Sequence, residues 1–162
     1  ARDGAAGERE ATQARRREAL ERVAACLRRG EMPESNALRA CLDRSREGWP
    51  ERRVVAVFQP HRYSRVKDLH AEFSRCFSDA AVVLVMPIYA AGESPVEGVT
   101  SGLVAREMRE AGHPSVVEAQ GHDDAVEKLA ALARQGDIVL TLGAGDVWKV
   151  GESLLKKLET PS

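Results

Sequence analysis

From residue 53 onward, short apolar runs rich in β-branched residues alternate with stretches of helical periodicity. Runs of the first kind predict buried strands, and apolar residues spaced three and four apart predict helices. Strands that are apolar throughout are typical of a sheet covered on both faces. We therefore expect an α/β fold with a doubly wound, mostly parallel sheet. The predicted strands are 54–58, 81–86, 115–118 and 138–142, and the predicted helices are 64–78, 100–111, 123–134 and 146–158.

The first 35 residues differ in composition from the rest of the chain. Residues 8–29 are rich in Arg, Glu and Ala, which favours a helix that ends at Gly30. We interpret residues 1–35 as a helical or disordered extension of unknown role and residues 36–162 as the α/β domain. Three interpretations of the extension stay open. It is a solvated helix, a basic arm that binds nucleic acid, or a segment translated from another reading frame. A further helix is expected from residue 34 to Gly48.

Composition excludes several function classes. The net charge of −1 gives no overall field for nucleic acid or an anionic membrane, and no apolar stretch reaches membrane-spanning length. Cys26, Cys41 and Cys76 are an odd number without the spacing of a metal site, so a reduced, cytoplasmic setting is expected. The four histidines form no convincing metal set, and we expect no metal to be bound.

Residues 58–65 read Phe-Gln-Pro-His-Arg-Tyr-Ser-Arg and follow the first predicted strand directly. Ligands bind at the carboxyl ends of the strands in open α/β sheets. The guanidinium groups of Arg62 and Arg65 are suited to bidentate binding of a carboxylate or phosphate, and His61 lies beside them. These residues are therefore candidate ligand-binding groups, although a solvated loop at a helix entry is the alternative. Ser64 is the expected N-cap of the helix that follows.

Two further loops follow strands. Residues 89–93, Tyr-Ala-Ala-Gly-Glu, are expected to form a second wall of the same crevice or a simple turn. Residues 143–146, Gly-Ala-Gly-Asp, precede a helix, which is the setting of a phosphate-binding loop. The third glycine of a dinucleotide fingerprint is replaced by Trp148, so a tight turn packed against the crevice is favoured, with Asp146 as N-cap.

A fourth segment, residues 136–141, reads Gly-Asp-Ile-Val-Leu-Thr. Similar segments occur in the same order as these four in the C-terminal domain of the Mur ligases. The chain resembles this family from about residue 37 to residue 158, and it is most similar to the members that add L-alanine. The resemblance implies a Rossmann-like fold. It also implies a part in peptidoglycan synthesis, and hence in cell-wall formation, cell shape and cell division.

The resemblance also implies roles for individual residues. Arg62 and Arg65 would bind the carboxylate of L-alanine, and His61 would orient its amine. Tyr89 and Glu93 would contribute to substrate binding without a defined role. In the whole family, ATP with Mg²⁺ and UDP-N-acetylmuramate bind to the central and N-terminal domains. We therefore expect no catalytic residue and no cofactor in this chain, and an expected partner is a chain that carries those two domains.

Two departures from the family pattern limit this interpretation. A hinge motif of the alanine-adding ligases is replaced at residues 30–35, where only a proline is retained, and no Gly-x-x-x-x-Gly-Lys-Ser/Thr phosphate loop occurs in the sequence. We therefore expect the chain to be inactive alone, as a fragment or a split partner. Two alternatives stay open: a free-standing α/β module that binds a small anion, and an interaction protein that recruits a partner.

Overall fold

A computed structural model describes residues 34–159, so the predicted helix over residues 8–29 lies outside the described part. The chain divides into two compact units, and the division falls between Glu51 and Arg52. The predicted boundary between residues 35 and 36 stays a prediction. Within the described part, no helix combines the length and hydrophobicity that crossing a membrane requires.

The described part of the first unit is one helix, α1 (Glu34–Gly48), as the sequence predicts. Its buried apolar residues recur at helical spacing, at Ala37, Leu38 and Leu42. Burial raises the pKa of the Cys41 thiol, which keeps this cysteine protonated and unreactive.

The second unit is a four-stranded parallel sheet with strand order β3-β2-β1-β4. This arrangement confirms the predicted doubly wound α/β class. Its strands are β1 (Val54–Phe58), β2 (Val82–Val85), β3 (Val116–Glu118) and β4 (Ile138–Leu142), and its helices are α2 (Tyr63–Phe73), α3 (Ser101–Glu110), α4 (His122–Leu132) and α5 (Trp148–Glu159).

Strand β1 lies at the centre of the sheet, and all of its residues are buried. Its residue Val57 is paired with Leu84 of β2 on one side and with Thr141 of β4 on the other. Strand β2 is also buried throughout, whereas the edge strands β3 and β4 are mostly half-buried. The uninterrupted apolar runs of β1 and β2 therefore reflect helices on both faces of the sheet.

Side chains of β1 alternate between two packed layers. Phe58 points to one face, where its ring lies 5.4 Å from that of Phe73 and 5.0 Å from that of Phe77. On the other face, Val55 and Val57 belong to a buried cluster with residues of α4 and α5. Helices α2 and α3 contact each other, and α4 contacts α5. Each face of the sheet is thus covered by one pair of helices.

Some helix ends differ from the prediction. Helix α2 ends at Phe73 rather than near residue 78. Ser74 is its C-cap and donates its hydroxyl to Ala71 O at 2.8 Å, and the chain then continues as tight turns. Thr100 caps α3 by accepting from the Leu103 amide at 3.1 Å. Helix α5 begins at Trp148, two residues later than predicted.

An ion pair joins the amino ends of β1 and β4. Arg53 donates from Nε and Nη2 to the two carboxylate oxygens of Asp137, at 3.0 and 2.7 Å. Asp137 also accepts from the Arg134 amide at 2.8 Å, and its side chain is only 6% exposed. Hydrogen bonding to Arg53 holds the pKa of Asp137 below its ordinary value.

Replacing Asp137 by asparagine is expected to lower the free energy of unfolding by about 2 kcal/mol at about pH 7, because Arg53 loses a charged partner. The pKa of Asp137 is lower in the folded than in the unfolded state, so its contribution is complete above about pH 4 and is lost as the pH falls through the folded value. Urea unfolding at about pH 7 and about pH 3 should therefore show a difference that shrinks in acid.

The matched control is Asp146→Asn. Its carboxylate is 54% exposed and lies 3.8 Å from Lys149, so we expect a change of less than about 0.5 kcal/mol. Equal effects of the two substitutions would contradict a stabilising role for the Arg53–Asp137 pair.

Candidate functional site

The carboxyl ends of β1 and β4 mark the point where the chain leaves the sheet in opposite directions. These strands are neighbours in the sheet, yet β1 leads to α2 on one face and β4 leads to α5 on the other. The loops that follow them therefore diverge, and this edge of the sheet is where a ligand crevice is expected. Ligands of open α/β sheets bind at such a switch point.

The loop after β1 carries His61 and Arg62, and Arg65 follows in the first turn of α2. Gln59 continues the sheet by one hydrogen bond, from its amide to Leu142 O at 2.9 Å, and Pro60 then ends the strand. Arg62 has φ 63°, a left-handed conformation that is costly for a residue with a side chain. Arg62 and Arg65 are exposed and His61 is half-buried. The structure therefore places all three at the carboxyl end of the central strand, as expected.

Tyr89 ties the loop after β2 to the loop after β1. Its amide donates to Pro60 O at 2.8 Å, and its carbonyl accepts from the Arg62 amide at 2.9 Å. Its ring stacks on that of His61, with centroids 5.8 Å apart and an interplanar angle of 12°. Residues 59–62 and 89–93, which are about 30 positions apart in sequence, thus form one continuous wall.

Glu93 caps helix α2 from the same loop. Its carboxylate accepts from the Ser64 hydroxyl at 2.6 Å and from the Ser64 amide at 2.9 Å. These bonds, with a smaller contribution from the charge of Arg62, hold the pKa of Glu93 below its ordinary value. The predicted N-cap role of Ser64 is wrong, because the helix starts at Tyr63 and its N-cap position is Arg62, whose side chain forms no cap bond.

The turn after β4 packs on both other loops. A Cβ atom at Gly145 would lie 2.7 Å from Gln59 Oε1 and 2.8 Å from the ring of Tyr89. A Cβ atom at Gly143 would lie 2.8 Å from Gln59 O. These close approaches agree with the interpretation of residues 143–146 as a packed turn.

The remaining histidines have structural contacts. His70 Nδ1 lies 2.8 Å from the Glu107 carboxylate, and His122 Nε2 lies 3.0 Å from Ser153 Oγ. His113 Nε2 lies between Phe77 O and Ala80 O, at 3.1 and 3.0 Å. Among residues 34–159, no group of three or more His, Cys, Asp or Glu side chains could hold a metal ion.

Two residues that contribute to the crevice were not predicted as site residues. Gln59 is only 6% exposed although it lies in a polar segment, and Gly145 is the residue that closes over it. The sequence offers one signal for the pair, since glycine is required where another chain segment approaches the backbone closely. It does not show which segment approaches.

Comparison with known proteins identifies the family. Residues 34–145 match the family model for the Mur ligase, glutamate ligase domain. The chain is 49% identical over 121 residues to UDP-N-acetylmuramate–L-alanine ligase of Trichlorobacter lovleyi and 48% identical over 122 residues to that of Geobacter sulfurreducens. Each match covers 75% of this chain but only 26% of the relative. The chain thus spans about a quarter of the length of these relatives.

Solved structures support the fold. The UDP-N-acetylmuramate–alanine ligase of Thermotoga maritima matches with a TM-score of 0.56 and 18% identity, over 77% of this chain and 24% of that one. A domain assigned to a UDP-N-acetylmuramate:L-alanyl-γ-D-glutamyl-diaminopimelate ligase of Haemophilus ducreyi matches with a TM-score of 0.55 and 19% identity. That match covers 76% of this chain and 83% of the solved domain.

The contact between Glu93 and Ser64 can be tested by hydrogen exchange. Glu93→Ala removes the acceptor of the Ser64 amide, which lies in the first turn of α2 and has no other acceptor within that helix. We expect the Ser64 amide to exchange roughly tenfold faster, as measured by NMR. Glu97→Ala, in the same loop and exposed, is the control and should leave that exchange rate unchanged. Equal rates in both variants would contradict the capping role.

The close approach at Gly145 predicts opposite effects of two glycine substitutions. Gly145→Ala should lower the free energy of unfolding by about 1–2 kcal/mol, because the new Cβ overlaps Gln59 and Tyr89. Gly151→Ala should raise it by about 0.5–1 kcal/mol, because Gly151 lies inside α5 and its Cβ would make an ordinary contact with Thr141 at 3.4 Å. Urea unfolding measures both, and a neutral Gly145→Ala would contradict the packing.

Proposed function

This chain belongs to the Mur ligase, glutamate ligase domain family, and from that premise we propose that it positions the amino acid in an ATP-dependent ligase. The ligase would join L-alanine to UDP-N-acetylmuramate in peptidoglycan synthesis, in keeping with the names of relatives about half identical to it. The observation that carries this proposal is the wall formed by the loops after β1 and β2, with His61 and Arg62 held against Tyr89.

The proposed share of the described residues in the reaction is binding and orientation. Arg62 and Arg65 bind the carboxylate of L-alanine, since guanidinium groups pair bidentately with carboxylates. His61, held by its stack on Tyr89, orients the amine toward an acyl phosphate formed on the lactyl carboxylate. The amine attacks the acyl carbon, the bond from that carbon to the phosphate oxygen breaks, and phosphate leaves with the electron pair. The nitrogen releases a proton to water. Positioning of this kind can supply a large part of the rate enhancement.

In this proposal Tyr89 and Glu93 act mainly by holding the arginine loop. Tyr89 fixes the backbone of Pro60 and Arg62, and Glu93 fixes the start of α2 through Ser64. Both carboxylate oxygens of Glu93 accept hydrogen bonds from Ser64. We therefore propose a positioning role for Glu93 through this cap, in addition to the substrate contact that the resemblance implies.

The proposal divides the reaction between this domain and the rest of a ligase. ATP, Mg²⁺ and UDP-N-acetylmuramate would bind to other domains, on the same polypeptide or on a partner chain, and the 162 residues would not catalyse ligation by themselves. Closing of this domain over the others would exclude water from the acyl phosphate. A cytoplasmic location, where these substrates would be available, is part of the same proposal.

The test is a reconstitution assay. This chain is mixed with separately expressed N-terminal and central domains of an alanine-adding ligase, and phosphate release from ATP is measured with UDP-N-acetylmuramate and L-alanine. Alanine-dependent release that requires this chain is the expected result. Absence of release from a mixture in which the chain is folded would overturn the proposal. Tight binding of an anionic metabolite by the chain alone would instead favour a free-standing anion-binding module.

In that reconstituted enzyme, Arg62→Ala and Arg65→Ala are each expected to raise the KM for L-alanine by about tenfold or more, because each removes a charge-assisted hydrogen bond. The KM for ATP should change less. Arg106→Ala is the control, since its side chain is 64% exposed on α3 and pairs only loosely with Glu110, at 3.8 Å. Equal changes in the KM values of both substrates would contradict the carboxylate-binding role.

A further inference from the structure

Gln59 carries an unsatisfied polar atom at the centre of the crevice. The residue is only 6% exposed, and its side-chain oxygen Oε1 is buried without a hydrogen-bond partner among the described residues. A buried amide oxygen that lacks a donor destabilises the folded state, and native proteins rarely tolerate one without a functional reason. The side-chain oxygen of Gln59 therefore needs a hydrogen-bond donor that the described residues do not supply.

This oxygen lies where the three crevice loops meet. Gln59 is the first residue after β1, and its amide bond to Leu142 O holds it against the end of β4. Its Oε1 lies under Gly145, and the ring of Tyr89, which stacks on His61, borders the same glycine. The unpaired acceptor thus belongs to the loop that carries two of the residues proposed to bind the amino acid, two positions before His61 and three before Arg62.

We propose that Gln59 is a positioning residue for the amine of the incoming amino acid, an inference that rests on the proposed function. Its Oε1 accepts a hydrogen bond from the amine nitrogen while the arginines bind the carboxylate. An amino acid offers one kind of donor, its amine, and one kind of strong acceptor, its carboxylate. The amide oxygen of Gln59 would complement the amine, and the guanidinium groups would complement the carboxylate.

The neutrality of the glutamine amide suits this role. The amine attacks only after it has lost a proton, and a carboxylate in the same place would favour the ammonium form by its charge. An amide oxygen accepts an N–H from either form and, because it carries no net charge, favours the ammonium form much less. It therefore holds the nitrogen in place with a smaller rise in the pKa of the amine.

The turn over Gln59 explains why the oxygen is covered in the free protein. Without Cβ atoms at Gly143 and Gly145, the turn lies directly on the side chain. The substrate amine reaches Oε1 when this turn lifts, and the hydrogen bond that forms then satisfies the buried acceptor. Binding of the amino acid and movement of the turn are thereby coupled.

The test compares L-alanine with propionate in the reconstituted ligase, because propionate has the same carboxylate and carbon chain but no amine. Gln59→Met keeps the length of the side chain and removes the acceptor. We expect the KM for L-alanine to rise about tenfold, and the inhibition constant of propionate against L-alanine to change less than about twofold. Gln120→Met, an exposed glutamine outside the crevice, is the matched control and should change neither.

The outcomes of this comparison distinguish a failure of the Gln59 role from a failure of the proposed function. Equal weakening of L-alanine and propionate, or no change in either, would overturn the role of Gln59 while the proposed function stands. A wild-type mixture without alanine-dependent phosphate release would overturn the proposed function and this role with it. Arg62→Ala should weaken both ligands together, which checks that propionate occupies the carboxylate site.

A second variant keeps the role testable if Gln59→Met does not fold. Gln59→Glu retains an acceptor of the same length but adds a charge. We expect its KM for L-alanine to stay within about threefold of the wild type, and its pH profile of kcat to shift to higher pH, because the charge favours the ammonium form. A purely structural glutamine would leave the position of that profile unchanged, and an unshifted profile would overturn the proposal.

Discussion

The pairing of β4 with β1 is the constraint on which the rest of the site depends. Because β1 is buried on both faces, the helices that follow β1 and β4 must cover opposite sides of the sheet. The two strands end in register, with Phe58 opposite Leu142, and the bond from the Gln59 amide extends the pairing by one step. The loops then separate. A crevice at this edge is therefore a consequence of strand order, and the chemistry of the site depends on which residues come first after each strand.

Polar contacts between distant segments turn this crevice into a defined surface. The backbone of Tyr89 forms two hydrogen bonds with the loop after β1. The ring of Tyr89 stacks on the ring of His61 and also lies next to Gly145. Glu93 binds the start of α2, where its negative charge interacts favourably with the positive end of the helix dipole. These contacts fix the backbone of Arg62 and the first turn of α2, in which Arg65 lies.

How much the sequence predicts depends on whether local or distant residues decide a feature. Strands β1 and β4 are predicted with their observed ends, because the flanking Arg53 and Pro60, and Asp137 and Gly143, are strong local signals. Helix α2 is predicted five residues too long, since Phe77 keeps the apolar spacing and packs on Phe58 although it lies in a turn. The cap of α2 and the burial of Gln59 were missed because Glu93 and Gly145 lie 29 and 86 positions away, where no local pattern reveals the contact.

In the proposed function the crevice loops bind an amino acid, and the glycine turn after β4 packs on Gln59 and Tyr89. An acid beside the amine would stabilise its unreactive ammonium form, and in the proposed arrangement the carboxylate of Glu93 instead caps α2 through Ser64. In that arrangement Arg62 and Arg65 bind a carboxylate, and the neutral amide oxygen of Gln59 binds a nitrogen. Such a set holds an amino acid by both ends, and it leaves activation of the acid partner to groups outside the described residues.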